Sequence, residues 1–114
     1  MELASTEISE KITGVTLNGR LDAAGVDRID LPFTAAIVTR ARNAIVDMSG
    51  VSFIASMGIR LLISTARALR LKGSTLVLFG APELVQGVLD DAAIDQIIPI
   101  VATREQALSR LAEK

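Results

Sequence analysis

Two short apolar runs, Ala44–Met48 (AIVDM) and Thr75–Phe79 (TLVLF), enclose a segment whose apolar residues recur every three or four positions. In that segment, Met57–Leu71, the residues Ile59, Leu62, Ile63, Ala66, Ala68 and Leu69 stand against Arg60, Arg67 and Arg70. This is the spacing of one helix face. The two runs are too short for helices and show almost no polar alternation, which marks strands covered on both faces. Strands joined through a helix cannot form a hairpin. The connection carries the chain back across the sheet and makes the strands parallel. An α/β fold is therefore expected.

The remaining segments extend that pattern. Ile12, Val15 and Leu17 make Lys11–Leu17 a strand ending at Asn18-Gly19, and Met1–Thr6 reads as an edge strand. Gly19–Gly25 reads as a loop. Val26–Arg42 reads as a helix with an irregular start around Asp30-Leu31-Pro32, where proline is tolerated. Gly73 is placed to end the long helix in a left-handed conformation. Gly80-Ala81-Pro82 forms a turn, and Pro82–Leu89 a short helix with Pro82 at its first position. Ile97–Val101 is a last strand that Pro99 confines to an edge. Thr103 caps a final helix, Arg104–Ala112. The order β-β-α-β-α-β-α-β-α predicts one domain over residues 1–114. It has a mixed, mostly parallel sheet of about five strands, with four helices.

The composition narrows the chemistry. The chain has neither cysteine nor histidine, so disulfides, thiolate metal sites and Ser-His or Cys-His nucleophile systems are excluded. Its glycines form no phosphate-binding loop. Asp90, Asp91 and Asp95 read as a solvated turn rather than a metal site. No catalytic residue, cofactor or metal is expected. The net charge of −1 is well mixed, which argues against a nucleic-acid partner. No apolar run approaches the roughly 20 residues of a membrane span, and the N-terminus lacks a signal-peptide pattern. A cytoplasmic protein without membrane insertion is expected.

Ser56 stands out. It precedes Met57-Gly58-Ile59 at the start of the long helix, after the strand and a short turn. Its oxygen could cap the free amides of that turn, a contact worth about 1 kcal/mol. The same helix end favours a phosphate carrying about −1.5 to −2 charges. Gly58 would leave the backbone beside it open to a partner. Arg60, Arg67 and Arg70 read most simply as the solvent face of the helix.

The stretch Asp47-Met48-Ser49-Gly50-Val51-Ser52-Phe53-Ile54-Ala55-Ser56-Met57-Gly58-Ile59 resembles the signature of STAS domains. That signature runs Asp-Leu-Ser, Val-x-Phe-Ile/Met, then Asp-Ser-Ser/Thr-Gly-Leu. Gly19-Arg20-Leu21-Asp22 is similar to the family's Gly-x-Leu-Asp, and Leu78–Pro82 and Val88-Leu89 look like later landmarks. The nearest resemblance is to bacterial anti-sigma-factor antagonists. It implies a non-enzymatic partner switch that binds an anti-sigma factor with serine-kinase activity. Ser56 is the implied phosphoacceptor. Asp22, Ala55, Ser56, Met57, Gly58 and Arg60, with a loop at 23–33, are the implied docking face. Two positions depart from the pattern. Ala55 stands where the family has an acid, and Met57 where it has Ser or Thr. Ala55 cannot orient the hydroxyl, whereas Met57 suits contact with a protein. The alternative is a constitutive binding module, as in lipid-transport ABC systems or stressosome-like scaffolds, with Ser56 only a cap.

Overall fold

The computed structural model describes residues 1–112. Its strands are β1 (Glu2–Ser9), β2 (Ile12–Leu21), β3 (Asn43–Ile54), β4 (Leu76–Phe79) and β5 (Ile100–Val101). Its helices are α1 (Ala23–Thr34), α2 (Ser56–Leu71), α3 (Glu83–Asp91) and α4 (Arg104–Ala112). The sheet order follows the chain, β1-β2-β3-β4-β5. β1 and β2 form an antiparallel hairpin, and every later neighbour is parallel. The mixed five-stranded sheet and four helices match the architecture expected from the sequence.

Burial explains the apolar runs. On one face, Leu17, Val46, Met48 and Leu78 pack with Ile29 and Phe33 of α1, Leu62 and Leu69 of α2, and Leu89 of α3. On the other, Ile45, Val77 and Phe79 meet Ala107 and Leu111 of α4. β3 and β4 are thus covered on both sides and cannot alternate with polar residues. Within α2 the buried face is Leu61, Leu62, Thr65, Ala66 and Leu69, while Ile59 and Ile63 pack at its margin.

Two helix ends form as expected. Gly73 has φ of +83°, its amide bonds to the Arg70 carbonyl at 2.9 Å, and the Ser74 amide bonds to the Leu69 carbonyl at 3.1 Å. This is the paired closure that a left-handed residue permits. The Gln106 amide donates to Thr103 Oγ1 at 3.1 Å, and the Thr103 amide donates to Gln106 Oε1 at the same distance. The two side chains thereby satisfy donors at the start of α4 reciprocally.

Several boundaries differ. β2 continues through Gly19–Leu21, which the sequence presents as loop, with Gly19 at φ of +117°. α1 starts at Ala23, and Pro32 lies deep inside it rather than near its start. Burial of Ile29, Phe33 and Ile37 outweighs the missing proline amide. The helix then widens into a π-helical turn, Ala35–Thr39, which ends short of Arg42. Pro82 is the N-cap of α3 rather than its first residue, and α3 continues to Asp91. A 3₁₀ turn, Ile94–Gln96, takes part of the segment before β5, which retains only Ile100–Val101 and lies at the sheet edge.

The largest difference is in β3. It runs to Ile54, so no separate turn precedes Ser56. Its pairing with β2 slips twice, between Thr16 and Asn18 and between Gly19 and Arg20, each time with an extra residue on β3. Buried positions therefore shift from Met48 to Val51 to Ile54, which breaks the two-residue period. The Ser49 amide, donating to Asp47 Oδ1 at 2.9 Å, steadies the first irregularity.

Candidate functional site

β2 and β3 end side by side, with Leu21 paired to Ile54 and the Ala55 amide donating to the Leu21 carbonyl at 3.1 Å. From these tips α1 and α2 start almost at once, at Ala23 and Ser56. Such close starts need glycine in both first turns. A Cβ on Gly25 would overlap the Arg20 carbonyl oxygen. A Cβ on Gly58 would sit 2.5 Å from the Leu21 carbonyl oxygen and 2.7 Å from Leu21 Cγ. Gly58 is buried, so it is not the open backbone that the sequence suggests. It contributes to the face by letting α2 approach the sheet.

Asp22 caps α1. Its Oδ1 accepts the Gly25 amide at 2.9 Å, and its Oδ2 pairs with Arg20 Nε at 3.3 Å. The Gly25 amide first, and the Arg20 guanidinium after it, hold the carboxyl below its ordinary value against a partial desolvation. The Arg20 guanidinium also lies 4.3 Å from the centre of the Phe53 ring. Arg20 and Phe53 lie within the motifs read from the sequence, but neither is given a role there. The available signal is the strand period, which sets Arg20 and Asp22 on one face once β2 is extended to Leu21.

α2 starts differently. Its N-cap is Ala55, in extended conformation with φ of −122°, and no side chain caps the helix. Ser56 is already the first helical residue. It is exposed, and its hydroxyl has no hydrogen-bond partner among the described residues. The capping role expected of Ser56 is therefore corrected. The serine sits one position too far along for its oxygen to serve the helix end. Met57 is 42% exposed and Arg60 is exposed one turn on, while Ala55 is half-buried. Residues 23–33 belong to α1 rather than to a loop. The result is a rim at the carboxyl ends of two parallel strands, where open α/β sheets commonly place their binding sites. It joins a free hydroxyl, an anchored carboxylate, a thioether and guanidinium groups. None of these is paired as a nucleophile with a base. No cluster of carboxylates suited to a metal occurs among the described residues. No helix among them is long and apolar enough to cross a membrane.

The STAS domain model matches residues 4–107. A protein of Bordetella bronchiseptica described as an anti-sigma factor antagonist, BtrV, is 26% identical over 101 residues, covering 86% of this chain and 87% of its own length. An anti-sigma-factor antagonist (STAS) domain protein from Planctomyces limnophilus superposes with a TM-score of 0.83 at 24% identity, with 96% of each chain covered. The anti-sigma factor antagonist SpoIIAA of Bacillus has been solved in two forms. The unphosphorylated form gives a TM-score of 0.80 at 22% identity, covering 99% of this chain and 98% of that one. The phosphorylated form gives 0.71 at 22%, covering 96% and 98%. The fold is thus shared across nearly the whole chain. Because the family match takes in both strand tips and both helix starts, the chain belongs to the STAS domain family.

Proposed function

We propose that this chain is a non-enzymatic partner switch that binds an anti-sigma factor with serine-kinase activity and is released by phosphorylation of Ser56. The observation that carries this reading is the exposed Ser56 hydroxyl, free of hydrogen bonds at the uncapped start of α2. A serine used as a cap would have to give up that bond before it could react, whereas this one is available as it stands. Asp22, Ala55, Met57 and Arg60 lie around it, and Gly58 holds α2 against the sheet. The resemblance to BtrV and to SpoIIAA supports the partner class, and the phosphorylated form of SpoIIAA supports the modification. Phosphate at Ser56 would place about −1.5 to −2 charges in the docking face and oppose its desolvation.

The test is affinity for a cognate kinase-fold anti-sigma factor. Wild type and Ser56→Ala are expected to bind alike, and Ser56→Asp at least about tenfold more weakly. Mass spectrometry after incubation with that partner and ATP is expected to find phosphate on Ser56. Equal binding by all three variants, with Ser56 unmodified, rejects the switch. That outcome favours the second reading, a constitutive binding module. Its specific support is Ala55, which leaves no acid directly before Ser56 in the chain.

A further inference from the structure

We infer that Arg20 is a built-in counter-charge for a phosphate on Ser56, an assignment that rests on Ser56 being the modified residue. Arg20 pairs with Phe53 across β2 and β3, and the next pair is Leu21 with Ile54. Its Nε reaches Asp22 two residues further on, so the side chain runs along the strand toward the helix starts. Arg20 thus stands one pair before the end of the β2–β3 ladder, beside Phe53, which precedes Ser56 by three residues in the chain. The guanidinium is therefore held near the strand ends from which α1 and α2 start, and a phosphoryl group would extend Ser56 outward from the start of α2.

The present ion pair is easily exchanged. The Arg20 side chain is 62% exposed, and exposed pairs contribute little. A phosphate dianion offers the guanidinium forked, charge-assisted bonds that outcompete one carboxylate oxygen. The Phe53 ring, 4.3 Å from the guanidinium carbon, keeps the charged end of Arg20 beside the strand ends and limits the freedom lost on binding. Three other charged groups bear on the phosphate. Arg60, four residues on in α2, forms the ordinary one-turn pair and has no ion-pair partner among the described residues. Asp22 opposes the phosphate. The Met1 amino nitrogen lies by Gly19, beyond Arg20. Phosphorylation would then act on both halves of the rim, adding charge on α2 and withdrawing Arg20 from Asp22 at α1.

The experiment uses the full chain with phosphoserine encoded at position 56 during synthesis, so no kinase is needed. Phosphorus NMR titrations compare this protein with its Arg20→Gln and Arg60→Gln variants. Against an ordinary second pKa near 6, R20Q is expected to raise the phosphoserine value by about half a unit. The Arg20 Nε resonance is expected to shift when phosphate is present. R60Q gives the size of a simple helix pair for reference. An unchanged phosphoserine pKa in R20Q, with an unmoved Arg20 signal, overturns the assignment, and a shift in R60Q alone does so as well. Amide spectra of R20Q establish that it is folded. A positive result here alongside Ser56 left unmodified by its partner would reject the switch while leaving the counter-charge intact.

Discussion

At the start of α1, Asp22 accepts the Gly25 amide and is itself held by Arg20. At the start of α2, Ala55 offers nothing to the amides of Ser56, Met57 and Gly58, and the serine that could have capped them stands one residue late. The two helices begin at neighbouring strand tips and share the same need for a first-turn glycine. They differ in what happens to the free helix end. One is satisfied within the protein, while the other is left to the surroundings with a hydroxyl beside it. An uncapped end forgoes about 1 kcal/mol. That local loss is a reasonable mark of a surface kept available for something else.

The largest expected effect tests what the two starts share. Gly58→Ala and Gly25→Ala should each destabilise by about 1–3 kcal/mol in urea unfolding, because the added methyl meets strand backbone that cannot turn aside. The gain in helix propensity, up to about 1 kcal/mol, works against this and makes a neutral result informative. If either variant is as stable as wild type, the close approach is not required at that end.

A smaller effect tests what separates them. Ala55→Ser or Ala55→Asp should convert the open end into a capped one and raise stability by about 1 kcal/mol, since the backbone at Ala55 is already extended as a cap requires. Asp adds the favourable field of the helix end. No gain from either would mean that α2 is not short of a cap. The smallest effect concerns Asp22. Its carboxyl is held low in the folded protein, so its contribution is present above the ordinary carboxylate pKa and fades as pH falls through the lowered folded value. Asp22→Asn, which can still cap, should lose this acid sensitivity with little other change, whereas Asp22→Ala should lose the cap at every pH. Unfolding curves of the three proteins between neutral and strongly acid pH check the sign.

Much of this was legible in the sequence because periodicity carries it. The apolar runs of β3 and β4, the face of α2, Gly73 and Thr103 all express local rules that the packing leaves intact. The misreadings occur where tertiary contact overrides a local signal. Pro32 remains in α1 because Phe33 and Ile37 are wanted in the core. Two slips in register hide the continuation of β3 as far as Ile54. That hidden length matters most for the site, because it moves Ser56 from the cap position into the helix. The Arg20–Phe53 contact was beyond reach for the same reason, since cross-strand partners follow from a register that bulges had shifted.

The sheet order has a consequence for how the molecule comes into being. Each strand pairs with its immediate predecessor, so no strand must wait for a later one to be inserted between existing neighbours. The ordering cost of each addition is confined to one hairpin or one crossover, so the sheet can grow strand by strand from β1 to β5 as the chain is made. The first core can gather as α1, α2 and α3 arrive in turn. Ile45, Val77 and Phe79 form a provisional outer surface until α4 covers them last.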